Sequence, residues 1–172
     1  METALMWAGQ KADAYVNTGQ MPERHRSGHP GLAPYEAFEA ADGPVLICAG
    51  NDRLFAKLAQ ACGRADWVGD ARFASNRARL INKAALLGEL CPILAGRTRA
   101  YWVGTLDAAG VPVSPINTLP EALAEPQVRA LGMMQAVPGE DFSLTALPIS
   151  LDGVRPGIRG GAPRLGQGAS VS

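Results

Sequence analysis

The sequence has no long hydrophobic run, no excess of charge of one sign and only three cysteines. No apolar stretch approaches the roughly 20 residues that a membrane-spanning helix needs, so the composition predicts a soluble chain without a membrane partner. The 16 basic residues balance the 16 acidic ones, which leaves no net field to attract nucleic acid. The first residues also lack the basic start and long apolar stretch of a signal peptide.

The cysteines predict neither a zinc site nor a disulfide framework. Cys48, Cys62 and Cys91 are far apart, with no CxxC pair and no neighbouring pair of histidines. This usage is typical of a reducing compartment, so we expect a cytoplasmic protein without a metal or a bound cofactor. Cys48 and Cys62 fall on apolar faces and are predicted to be buried thiols.

Helical periodicity dominates the first two thirds of the chain. Residues 2–18 are predicted to form one helix with a broad apolar stripe, which ends at Gly19 and needs a partner surface. A β-hairpin is predicted to turn at Asp42-Gly43. Further helices are predicted to begin at Asn51 or Asp52, Asn76, Thr98 and Thr118. Pro92 lies inside the pattern that follows Asn76 and predicts a kink or an early end there.

Short strands are predicted in the rest of the chain. One is expected over 111–113, and a second hairpin joins 133–137 to 142–147, with 149–151 as a possible extension. Trp67 and Trp102 are predicted to anchor the core. Helices together with antiparallel hairpins indicate an α+β fold.

Spacing alone predicts no catalytic constellation and no catalytic residue. Val45–Asn51 superficially resembles a phosphate-binding strand and turn, but neither GxGxxG nor GxxxxGK follows, so a simple helix cap is favoured. His29 lies in a loop flanked by glycine and proline that could approach a ligand closely, although a single loop histidine is more often solvated. The acidic residues form no pair at a spacing suited to general acid–base catalysis.

Several segments, taken in order, resemble CoA-transferase family III, the formyl-CoA transferase or CaiB–BaiF type. A histidine-proline loop precedes a PY-x-x-F strand, an ADG turn and a GND helix start within GHPGLAPYEAFEAADGPVLICAGNDRLFAKLAQACGR. The later segments that resemble the family are DARFASNRARLINKAALL, RTRAYWVGTLDAAGVPVSPINTLPEALAEPQVRALGMM, PISLDGVRP and APRLGQ. Gln167 stands where the family usually has the glutamate of LGE.

The resemblance implies a chain in three parts. A linker helix and loop would cover residues 1–34, and the small C-terminal domain of the family would cover 35–132. Return strands and a tail over 133–172 would lead toward a Rossmann-like large domain, of which this chain would hold only remnants. Family members form interlocked dimers, so we expect either a homodimer or a complex with a missing N-terminal half.

The resemblance also implies a reaction. Family transferases move CoA from an acyl-CoA thioester to a carboxylic acid through an aspartyl anhydride, with the CoA thioester as substrate. Their aspartate lies upstream of the linker helix, so residues 1–172 would be a truncated portion that is inactive alone. The loop that folds over the reacting aspartate corresponds to Gly28, His29, Pro30 and Gly31, the expected substrate-binding residues. Two alternatives stay open: an acyl-CoA racemase fragment, or a non-catalytic partner that dimerises with a full-length relative.

Overall fold

A computed structural model describes residues 1–163 and residue 165. It divides the chain into two compact units, Met1–Ile116 and Asn117–Ser172. Within the described residues these units contain α-helices and short antiparallel strands, which confirms the predicted α+β class. The end of the predicted tail, including Gln167, lies outside the described residues.

The first unit begins with two helices where the sequence predicted one. They are α1 (Glu2–Trp7) and α2 (Gly9–Thr18). The prediction of a continuous helix is wrong at Ala8, where φ is −91° and ψ is 5° and the N–H bonds to the Leu5 carbonyl, only three residues back. Gly19 ends α2 in the left-handed conformation, φ 69°, as predicted.

A three-stranded antiparallel sheet follows. Its strands are β1 (Tyr35–Ala40), β2 (Gly43–Cys48) and β3 (Val113–Pro115), in the order β1-β2-β3. The predicted hairpin is confirmed, with Gly43 in its turn at φ 135°. The third strand starts two residues later than predicted, because the N–H of Val111 still bonds to the Leu106 carbonyl of the preceding helix.

Helices cover the sheet. They are α3 (Asp52–Ala61), a 3₁₀ turn (Ala65–Val68), α4 (Asn76–Ile81), α5 (Lys83–Ala95) and α6 (Arg99–Ala108). The side chains of Asn51, Ser75 and Thr98 accept backbone N–H bonds at three of these starts. An early end at Pro92 was wrong, because α5 continues to Ala95. Burial of Leu86, Leu90 and Leu94 along one face of α5 opposes the cost of the missing N–H.

Aromatic side chains fill the core between the helices and the sheet. Phe55 stacks on Trp67 with ring centroids 6.2 Å apart, and Phe73 meets the edge of the same indole at 6.1 Å. The indole N–H of Trp102 donates to the Leu94 carbonyl at 2.7 Å. Trp67 and Trp102 are both buried, so their predicted role as core anchors is confirmed.

The second unit is smaller, and most of its described residues are exposed. It contains α7 (Leu119–Ala124), α8 (Pro126–Ala130) and the predicted hairpin of β4 (Met134–Ala136) and β5 (Ser143–Thr145). Thr118 and Glu121 form a capping box at the helix start that was predicted at Thr118. Residues 149–151 do not extend the hairpin, because a turn at Asp152-Gly153 pairs Leu151 with Val154 instead. No helix in the described part of the chain is long and apolar enough to cross a bilayer.

Candidate functional site

The histidine-proline loop is a tightly hydrogen-bonded turn that leads into β1. The N–H of Gly28 donates to the His25 carbonyl at 2.8 Å, and the N–H of His29 donates to the Tyr35 carbonyl at 2.9 Å. The rings of His29 and Tyr35 lie 5.5 Å apart, inclined at 55°. The backbone around His29 is therefore fixed at both ends, while the side chain remains exposed.

Only glycine fits at position 28 without a rearrangement. A Cβ atom there would lie 2.9 Å from Lys83 Nζ, 3.1 Å from the His25 carbonyl oxygen and 3.3 Å from Glu36 Oε2. The lysine and the glutamate form an ion pair at 2.9 Å, and both side chains are largely covered. Gly28 thus lets the loop lie directly against a pair of opposite charges.

Asn76, the first residue of α4, holds the end of the loop. Its Nδ2 donates to the Gly31 carbonyl at 2.9 Å, and its Oδ1 accepts the N–H of Ala33 at 3.0 Å. The amide therefore uses both of its functional groups on the loop. The Gly31 N–H in turn donates to His29 Nδ1 at 3.0 Å.

Arg79, one turn further along α4, is a buried guanidinium with 0% exposure. It donates to the carbonyls of Ala33 at 2.6 Å, Phe73 at 2.9 Å and Gly50 at 3.4 Å. It also pairs with Asp52 Oδ1 at 2.8 Å. Burial lowers the pKa of Arg79, while the hydrogen bond that Arg79 donates to the Asp52 carboxylate acts in the opposite direction.

Two cavities adjoin the loop. One, of about 730 Å³, lies against α2 and is lined by Lys11, Glu23, His25, His29 and Pro30 among others. The other, of about 610 Å³, is lined by Arg26, Ser27, Glu36 and Cys91 among others. Either volume can hold part of a small-molecule ligand.

The four predicted substrate-binding residues form one continuous turn. His29 and Pro30 line the larger cavity, whereas Gly28 and Gly31 serve as backbone contacts of the loop. The sequence reading missed Asn76 and Arg79 as partners of this loop. The available signal was their spacing of three residues, which places two polar side chains on one face of a helix.

The thiols differ from the prediction. Cys48 and Cys62 are half-buried rather than buried, because each lies at the end of an element, and Cys91 is exposed. Burial raises the pKa of Cys62 from 9.0 to about 11. Among the described residues, no three His, Cys, Asp or Glu side chains are grouped so that they could hold a metal ion.

Comparison with known proteins connects this chain to a family. Residues 1–169 match the family model "CoA-transferase family III". The acetyl-CoA:oxalate CoA-transferase of Acetobacter aceti is 36% identical over 156 residues, which are 90% of this chain and 40% of that protein. The succinate–glutarate CoA-transferase of Agrobacterium fabrum is 32% identical over 131 residues, which are 74% of this chain and 32% of that protein.

A solved structure agrees with these matches. The crystal structure of a CAIB/BAIF family protein from Brucella suis superposes with a TM-score of 0.80 at 32% identity, and covers 91% of this chain and 41% of that one. The chain thus spans between about a third and two fifths of the length of these relatives. Since the family model covers nearly every residue, the chain belongs to CoA-transferase family III.

Proposed function

We propose that this chain works as the C-terminal portion of an enzyme that moves CoA between an acyl-CoA thioester and a carboxylic acid. The observation that carries the proposal is the family match over residues 1–169, together with coverage of only 40% of the Acetobacter aceti relative's length. The nucleophilic aspartate that forms the acyl anhydride would lie outside residues 1–172. In this proposal the chain alone does not turn over substrate.

In this proposal the three parts of the chain have different roles. Residues 1–34 link the two domains of the enzyme, 35–132 form its small domain, and 133–172 return toward the large domain. The complete enzyme would be an interlocked dimer. Because Cys48, Cys62 and Cys91 are all free, a reducing, cytoplasmic location suits the chain.

Gly28, His29, Pro30 and Gly31 would contact the acyl substrate. Their hydrogen bonds to Tyr35 and Asn76 support this role, because a fixed loop can exclude water from a reacting thioester at little cost in entropy. The exposed ring of His29 adds a polar group at the wall of the larger cavity. The ion pair of Lys83 and Glu36 lies against the loop at Gly28.

The relatives suggest where to look for substrates. Those reported above are named for acetyl-CoA with oxalate and for succinate with glutarate, so short dicarboxylic acids are the acceptors to test first. Both names describe CoA transfer, which supports a transferase over the alternative of an acyl-CoA racemase.

The test begins with the DNA upstream of the Met1 codon. If the reading frame continues into an aspartate-bearing segment, the longer product and the 172-residue chain are both purified and supplied with acetyl-CoA or succinyl-CoA plus oxalate or glutarate. New CoA thioesters are identified by mass. We expect transfer by the longer product only.

The other outcomes separate the alternatives. Turnover by the 172-residue chain alone would contradict the proposal that the nucleophile lies elsewhere. Epimerisation of an α-methylacyl-CoA by the longer product, without transfer, would establish the racemase instead. A closed frame with no aspartate-bearing half nearby would rule out the enzyme reading for this chain.

A non-catalytic partner is the second candidate, and the first two helices favour it. No residue of α1 or α2 is buried, and both helices expose large apolar side chains, namely Leu5, Met6, Trp7 and Val16. Such a face is suited to a protein partner, here a full-length relative of the same family. A monomeric chain that melts cooperatively and does not associate with a co-expressed full-length relative would contradict this candidate.

A further inference from the structure

The His29 ring is held through one of its two nitrogens. Nδ1 accepts the backbone N–H of Gly31 at 3.0 Å. Since a backbone N–H can only donate, Nδ1 must carry a lone pair, and the proton of the neutral ring then lies on Nε2. The hydrogen bond at Nδ1 therefore selects one tautomer, in which Nε2–H is the ring's remaining polar group.

Asn76 fixes the residue that selects this tautomer. Its Nδ2 donates to the Gly31 carbonyl, on the other side of the same α-carbon as the N–H that reaches His29. Its Oδ1 accepts the Ala33 N–H, so the amide cannot rotate without breaking a second bond. Two hydrogen bonds, joined through the backbone of Gly31, thus connect the start of α4 to the imidazole.

The cavity beside His29 has mixed charge. Lys11 and Glu23 line it with opposite charges, and His25 is a second imidazole on the wall. A neutral N–H donor in these surroundings suits an oxygen acceptor, such as a carboxylate or a thioester carbonyl. The ring of His25 makes no hydrogen bond within the described residues that would select one of its tautomers. His25 is therefore an internal comparison for the tautomer of His29.

We propose that Asn76 is a positioning residue that acts through Gly31 to set His29 as an Nε2–H donor toward an oxygen of the acyl substrate. The identity of that ligand rests on the proposed function. The positioning of the ring does not, because it follows from the hydrogen bonds of this chain alone.

The first test reads the tautomer directly. The sequence has two histidines, so the His25→Asn variant assigns the remaining imidazole in long-range ¹H–¹⁵N spectra of the labelled chain at mildly alkaline pH. We expect His29 to show an unprotonated Nδ1 and a protonated Nε2, and His25 to show a mixture. A mixture of His29 tautomers in the unmodified chain would overturn the proposal. This measurement is made on a chain whose loop carries no substitution.

The second test breaks the link at Asn76. Asn76→Asp keeps an oxygen for the Ala33 N–H but sets a carboxylate oxygen against the Gly31 carbonyl, so His29 should shift to a mixture of tautomers. Asn82→Asp is the matched control, because it makes the same charge change six positions along, where the side-chain amide donates to the carbonyls of Arg72 and Ala78 and not to the loop. A shift in the control, or none in Asn76→Asp, would overturn the role of Asn76.

The ligand is tested in the longer product with acetyl-CoA and oxalate. Glutamine can place an amide N–H near the position of Nε2, whereas asparagine reaches only the position of Nδ1. We expect kcat/KM of His29→Asn to fall about tenfold below that of His29→Gln, the loss typical of one hydrogen bond to substrate. Equal values in an active enzyme would overturn the donor role. If the longer product transfers no CoA but His29 shows the expected tautomer, the proposed function and the acyl substrate as ligand of His29 are both refuted. The positioning of His29 by Asn76 would still hold.

Discussion

Arg79 donates a 2.6 Å hydrogen bond to the carbonyl of Ala33, 46 positions earlier in the chain. The guanidinium is fully buried, and its other donors serve two further backbone carbonyls. Its plane also lies over the Phe55 ring, 4.3 Å from the centroid. One side chain thus joins the loop, the core and the start of α3.

Replacement of Arg79 should lower the free energy of unfolding more than replacement of an exposed arginine nearby. Arg79→Met keeps most of the volume but leaves the carbonyls of Ala33 and Phe73 without this donor, so we expect a loss of about 3 kcal/mol in the free energy of unfolding. Arg77→Met, on the exposed side of the same helix, should stay within about 0.5 kcal/mol of the unmodified chain. Urea unfolding followed by circular dichroism measures both, and equal losses would contradict the role of Arg79.

Replacement by alanine should change the stability of the chain in opposite directions at two glycines. A Cβ on Gly50 would lie 2.7 Å from the Cβ of Leu32, too close for either backbone to remain in place, so Gly50→Ala should destabilise by about 1–3 kcal/mol. Gly88 is exposed within α5 and has nothing within 4 Å of an added Cβ. Gly88→Ala should therefore stabilise by about 0.5–1 kcal/mol, the usual helix-propensity gain. Thermal melts compare the two, and a tolerated Gly50→Ala would disprove the close approach.

The half-buried thiol of Cys62 should make the stability of the chain depend on pH in the alkaline range. Because burial raises the pKa of Cys62 from 9.0 to about 11, the unfolded chain loses this proton at a lower pH than the folded one. Between about pH 9 and 11 the folded state then binds more protons, so the free energy of unfolding falls as pH rises. Urea midpoints measured across this range should fall more steeply for the unmodified chain than for Cys62→Ala. Parallel curves would show that the thiol is freely solvated.

Tryptophan fluorescence should report the state of the first helix. Trp7 is 90% exposed, whereas Trp67 is 0% and Trp102 is 2% exposed. Iodide should therefore quench one component of the emission, and Trp7→Phe should abolish it. Trp67→Phe serves as the comparison, since it leaves that component in place. An emission that iodide cannot quench in the unmodified chain would mean that the exposed face of α1 is covered, for instance by self-association.

Features that depend on neighbouring residues were predictable. The helix starts at Thr98 and Thr118 were predicted correctly, and Asn51 is one of the two residues offered for the start of α3, because each of these side chains accepts a backbone N–H three residues ahead. The first hairpin was predicted for a similar reason, since the alternation of its side chains and its Asp-Gly turn are local. The break at Ala8 was not predicted, although Gly9, a poor helix former, follows it directly.

The sequence by itself determined the family, the α+β class and the loop that holds His29, because ordered motifs and short-range periodicity are written along the chain. Only the tertiary structure decided how that loop is held. Asn76 and Arg79 meet Gly31 and Ala33 across 45 and 46 positions, and no pattern of neighbouring residues encodes such a pairing. These contacts exist because α4 lies against the loop that precedes β1 and covers its polar groups, and covered polar groups need hydrogen-bond partners that only the folded chain brings close.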